Sequence, residues 1–143
     1  MKNRKLLALA VLGISLLLPG CVSGTRHASI YPYPDPGKGL VYFFRESHFV
    51  GALGSYNIYE GKQILGPMKN GSYFFVQATP GEHTYSGPDA WASSLTINVE
   101  AGQTYYVSCS VEVGINSGKS RLSQGYQAVG REKVSKLKYV TRD

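Results

Sequence analysis

Histidine, cysteine and charge are all scarce in this sequence, and each shortage closes off a class of chemistry. The 143 residues hold three histidines, His27, His48 and His83, and two cysteines, Cys21 and Cys109. None stands in an HxH, HExxH or CxxC spacing, and a zinc site needs three or four ligands in a recognisable pattern. No metal and no cofactor are therefore expected. Gly-x-Ser-x-Gly and phosphate-cradling glycine loops are missing too. An enzyme working through dispersed carboxylates would leave no such signature, but the expectation is a protein that is not an enzyme. Charge is thin as well: 17% of residues, with a formal net of +6. Three of the fifteen cations precede residue 21, so the remainder carries twelve Lys or Arg against nine Asp or Glu, a net of about +3. That is too weak to mark a nucleic-acid partner. Nor does any apolar run reach the about 20 residues that a membrane-spanning helix requires.

What the amino terminus does have is a short cationic start, Lys2, Arg4 and Lys5, then an apolar stretch from Leu6 to Leu18 broken only by Gly13 and Ser15. A charged start, a short apolar run and small residues at a cut point describe a secretory signal. The cut point reads Leu18-Pro19-Gly20-Cys21. A leucine, two small residues and a cysteine resemble the lipobox of bacterial lipoproteins, with Pro19 where Ala or Ser is usual. The resemblance implies that the Cys21 sulfur takes a diacylglycerol, that residues 1–20 are removed, and that two or three acyl chains hold the protein at a membrane; two chains hold far more firmly than one. An Asp after the cysteine retains such proteins at the inner membrane. Val22 and Ser23 stand there instead, so the resemblance implies the periplasmic face of the outer membrane. With Cys21 acylated, Cys109 has no partner in the chain, and no disulfide staples the fold.

Residues 22–38 contain Pro32, Pro34 and Pro36 at alternate positions. Prolines so spaced forbid helix and disfavour a paired strand. With Cys21, this stretch reads as an extended tether over 21–38, able at roughly 3 Å per residue to hold a domain about 50 Å from the lipid. Packing of Tyr31 and Tyr33 on the domain would shorten that reach.

From Gly39 to Asp143 the pattern changes to short runs rich in Val, Ile, Tyr, Phe and Thr, separated by Gly, Pro and Asn, the signature of strands and turns. Strands are expected at Leu40–Arg45, Ser55–Tyr59, Gln63–Leu65, Tyr73–Ala78, His83–Ser86, Leu95–Val99 and Thr104–Val113, with Arg121–Val129 supplying one more. The longest alternates Tyr105, Val107, Cys109, Val111 and Val113 against Tyr106, Ser108, Ser110 and Glu112. One helix is expected, Arg131–Lys138, with Val134 and Leu137 on one side and Glu132 placed to meet Lys136 a turn later. Seven to eight short strands at this spacing predict an all-β, immunoglobulin-like antiparallel sandwich with a short C-terminal helix.

Five stretches carry a family resemblance: Leu40-Val41-Tyr42-Phe43-Phe44-Arg45, Ile58-Tyr59-Glu60-Gly61-Lys62, Gly71-Ser72-Tyr73-Phe74, Thr79-Pro80-Gly81-Glu82-His83-Thr84, and Glu100-Ala101-Gly102-Gln103-Thr104-Tyr105-Tyr106-Val107. As a set they resemble the bacterial family catalogued as domain of unknown function 2846. The resemblance implies a fold and an address in the cell envelope, and no chemistry.

Among candidate site residues, His83 follows a turn and reads as the first residue of a strand. Cys109 lies on an apolar face and reads as an inert buried thiol, since a nucleophile needs a lowered pKa and a nearby base. Arg45 and Glu46 end the first strand, where a solvated salt bridge is the default. The loop from Ser47 to Tyr56, hinged by Gly51 and Gly54 and tipped by Phe49 and Val50, is the best binding element, and His48, Phe49, Val50 and Tyr56 are its candidate contacts. The tyrosine-rich strands must carry rings on both faces, so either both faces are covered or one row is a contact surface. Two functions follow. The first is a lipid-anchored, non-enzymatic binding or accessory module for a cell-envelope protein partner. The alternative is a small-ligand or glycan binder using exposed aromatic rings.

Overall fold

The computed structural model describes residues 31–49, 54–88, 93–113 and 118–141. Among them the chain forms nine strands and one helix: β1 (Gly39–Arg45), β2 (Tyr56–Glu60), β3 (Gln63–Met68), β4 (Ser72–Ala78), β5 (Gly81–Ser86), β6 (Ser94–Val99), β7 (Thr104–Val113), β8 (Gly118–Gly125), α1 (Gln127–Val134) and β9 (Lys138–Tyr139). The strands make two sheets, ordered β8-β7-β1-β4-β9 and β3-β2-β5-β6. The chain is thus the expected all-β sandwich with a short helix.

β1 organises the molecule. All seven of its residues are buried, which is what an unbroken apolar run requires of a strand covered on both faces. Val41 and Phe43 point inward, into a core shared with Ile58, Met68, Phe74, Tyr85, Ile97, Val99, Val107, Cys109 and Leu122. These residues come from both sheets, so this core is the filling of the sandwich. Leu40, Tyr42 and Phe44 point outward, into a second cluster with Tyr73, Tyr106 and Val134. There α1 and the segment before β1 cover the larger sheet. Rings therefore occupy both faces of that sheet, and its outer row is largely roofed over.

Three details differ from the sequence-based expectation. Pairing is not antiparallel throughout: β1 runs parallel to β7, and β4 parallel to β9. Alternation of apolar and polar residues is the same in either direction, so the pattern could not distinguish them. The last long strand ends at Gly125, and the helix begins at Gln127 rather than Arg131. The backbone bends at Tyr126, which is extended (φ −66°, ψ 140°) and starts the helix without a side-chain cap. Finally, Lys138, expected to end the helix, instead forms β9 with Tyr139: the Lys138 amide donates to the Gly71 carbonyl at 3.1 Å and the Val140 amide to the Tyr73 carbonyl at 2.9 Å. The expected Glu132–Lys136 ion pair is present at 2.7 Å.

The described part of the tether is not free chain. The Tyr31 ring stacks on Tyr73 at 6.3 Å. The Gln77 side chain accepts from the Asp35 amide at 3.0 Å and donates to the Tyr33 carbonyl at 3.2 Å. Residues 31–38 are a strap laid across the outer face of the larger sheet.

Candidate functional site

At the end of β1 the chain turns outward past Glu46, whose carboxylate takes an ion pair from Lys133 of α1 at 2.7 Å. His48 is then clasped by Asn70 of the β3–β4 turn: its amide donates to Asn70 Oδ1 and its carbonyl accepts from Asn70 Nδ2, both at 3.0 Å. The turn is itself fixed, because the Ser72 hydroxyl donates to the Lys69 carbonyl at 2.7 Å and accepts from the Lys69 amide at 3.1 Å. Phe49 follows directly on this fixed His48 backbone and is 98% exposed. Val50 lies outside the described residues.

Tyr56 does not join them. It packs against the inner core, and its hydroxyl is buried with no hydrogen-bond partner among the described residues. Arg45, only 2% exposed, lies with its guanidinium carbon 5.7 Å from the Tyr56 ring centre and donates to the Gly54 carbonyl at 2.7 Å. Burial pushes the Tyr56 hydroxyl well above its ordinary range, with the Cys109 thiol adding to the rise and Arg45 opposing it. The structure thus brings His48 and Phe49 together on the surface and sends Tyr56 inward. It also makes Arg45 a buried group instead of one half of a solvated salt bridge.

Cys109 is buried and free. Desolvation holds its thiol far above the range at which a thiolate forms, so it is inert as a nucleophile. His83 is the third residue of β5 rather than its first, and its ring is held on both sides. Its Nδ1 lies 2.6 Å from Glu60 Oε1 and its Nε2 2.7 Å from the Thr79 carbonyl oxygen. Both ring nitrogens are thus engaged by oxygen atoms of the protein. The pair clasps the β2–β3 turn to the β4–β5 turn, where Gly61 at φ 55° closes a two-residue hairpin. Neither nitrogen is open to a substrate, although a cavity of about 280 Å³ lies alongside, lined by Gln63, Leu65 and Val76 among others. Nothing in the linear spacing signalled this contact between residues 23 apart. Cys21 and His27 lie outside the described residues.

The second concavity, about 320 Å³, opens on the outer face of the larger sheet, between the strap and α1. Tyr33, Tyr42, Thr104, Tyr106, Gln127 and Arg131 are among its walls. Tyr42 and Tyr106 stack at 5.1 Å, nearly parallel at 8°. Burial raises both hydroxyls above their ordinary range, and Arg131 is near enough to oppose that rise. Sequence reasoning missed this site because its walls come from four separate parts of the chain, the strap, β1, β7 and α1; the only signal was the expectation that Tyr31 and Tyr33 could pack on the domain.

Among the described residues no group of three or more His, Cys, Asp or Glu is placed to hold a metal ion, and no helix is long and apolar enough to cross a membrane. No curated protein is significantly similar to the chain. The family described as "Protein of unknown function (DUF2846)" matches residues 35–121, from within the strap to the middle of β8. That match spans more than half of the sequence and the whole of β1 to β7, and the chain belongs to the DUF2846 family.

Proposed function

We propose that this protein is a non-enzymatic binding module, held at the periplasmic face of the outer membrane by lipid on Cys21, which engages a cell-envelope protein partner through the corner carrying His48 and Phe49. The carrying observation is Phe49: a large apolar side chain, 98% exposed, next to His48, whose backbone makes two hydrogen bonds with Asn70. Fully burying such a side chain at an interface yields roughly 1.5–3 kcal/mol. Confinement by a lipid anchor raises effective concentration toward a co-anchored partner, often into the millimolar range, so a small contact suffices.

Two measurements test the reading. Labelled palmitate is incorporated by the wild-type precursor in a bacterium and not by Cys21→Ser; equal incorporation removes the anchor from the proposal. Phe49→Ser leaves the melting temperature unchanged and lowers recovery of a cross-linked envelope partner. A fall of several degrees with unchanged recovery would place Phe49 in the fold and not in a contact.

A further inference from the structure

The strap and α1 enclose a concavity whose two sides differ in chemistry. On the strap side stand Pro32, Pro34 and Tyr33, and Tyr33 is 85% exposed. These rings offer flat apolar surface. On the helix side stand Gln127 and Arg131, one turn apart at the start of α1. Lys133, Lys136 and Arg121 all have carboxylate partners. The Arg131 guanidinium has no hydrogen bond or ion pair with any described residue, and it borders the cavity. None of the described lining residues is acidic, so nothing there competes for the guanidinium or favours a cationic ligand.

A guanidinium presents a planar fork of donors that matches a carboxylate in bidentate fashion. The Gln127 amide adds donors beside it, and the Thr104 hydroxyl and the tyrosine hydroxyls are further polar contacts on the floor. A volume of about 320 Å³ is at the small end of ligand sites, enough for one substituted ring and too little for an extended chain.

We infer that the pocket between the strap and α1 binds a six-membered ring bearing a carboxylate, with the acid on Arg131 and Gln127 and the ring face against Tyr33 and the strap prolines. The shared chemistry is the ring acid; a sugar acid and an aromatic acid are its two sources. This inference stands apart from the reading of Cys21 and Phe49.

The test uses the full-length chain in detergent micelles and calorimetric titration with sodium glucuronate, glucose, sodium benzoate and sodium sulfate. Glucuronate or benzoate saturates a single site, and the tighter of the two names the source. Glucose, which lacks the acid, and sulfate, which lacks the ring, each bind at least about tenfold more weakly, as loss of a charged hydrogen bond or of ring burial requires. Arg131→Gln keeps the melting temperature, because the side chain is exposed and glutamine is a good helix former, and loses at least about tenfold in affinity for the acid. Gln127→Ala loses less. Equal binding of glucose and glucuronate, equal binding of sulfate and the ring acids, wild-type affinity in Arg131→Gln, or no saturable binding of either acid would each overturn the inference.

Discussion

Replacing Gly130 by alanine puts two well-characterised effects in opposition. In an exposed helix, alanine for glycine stabilises by roughly 1 kcal/mol. Gly130 is in the middle of α1, and a Cβ built there meets Tyr106 Cβ and Cγ, each at 2.3 Å. Carbon atoms pack at about 3.5–4.0 Å, so helix and strand would have to part by more than about 1 Å. Tyr106 cannot give way, because its Cβ is fixed to β7 and its ring is stacked on Tyr42. Overpacking costs about 1–3 kcal/mol, and an overlap with an immobile Cβ and Cγ falls in the upper part of that range, so it outweighs the propensity gain and leaves a net loss of about 1–2 kcal/mol. For a domain near 100 residues, each kcal/mol lowers the melting temperature by about 4–8 °C. Thermal melts followed by circular dichroism read the effect, and Ala128→Gly, at an exposed position of the same helix, is the control that should lose about 1 kcal/mol from propensity alone. A melting temperature for Gly130→Ala at or above wild type would refute the close docking of α1 on β7.

Tyr56→Phe removes a buried hydroxyl that has no partner among the described residues, so stability holds or rises by up to about 1 kcal/mol; a marked loss in chemical denaturation would show that the hydroxyl is bonded. Cys109 stays unlabelled by thiol reagents in the native protein and reacts once it is denatured, because burial holds the thiol protonated; rapid native labelling contradicts this. Burial raises the hydroxyls of Tyr42, Tyr56, Tyr73, Tyr85 and Tyr106 above their ordinary value of 10.0. The folded state then holds protons that the unfolded state releases. The contribution of these groups to stability is fully present below pH 10 and falls as pH rises beyond it. Tyrosinate absorbance and loss of far-ultraviolet signal should rise together in one cooperative alkaline step; gradual ionisation in a chain that stays folded would argue against buried rings.

The strands were legible because their pattern is local. β1 is an unbroken apolar run, and the alternation around Cys109 correctly placed the thiol inside. The family resemblance was legible for the same reason, in turns such as Glu60-Gly61-Lys62. What was not legible depended on contacts between distant segments. Gly130 looks like a break in a helix and is where the helix backbone lies against Tyr106 of the sheet. β9 is two residues long and exists only because β4 offers an edge. Tyr56 was placed with the loop, yet it has the same parity as Ile58, and alternation alone would have turned it inward. The Glu60–His83 clasp and the pocket beside Arg131 join segments that no spacing rule connects.

The strap has a direction, and the direction gives the domain a polarity. Tyr31 rests on Tyr73, near the start of β4, while Gly39 pairs with Ala78 at its far end. Tyr31, the first described residue of the strap, therefore lies at the same end of the sandwich as the Asn70–Gly71 turn and His48. Nine residues separate Cys21 from Tyr31, a span of at most about 35 Å fully extended. A domain acylated at Cys21 would be moored short and by one end. Under the proposed anchoring, the His48–Phe49 corner would share the tethered end of the domain, and the partners within its reach would be those close to the same membrane.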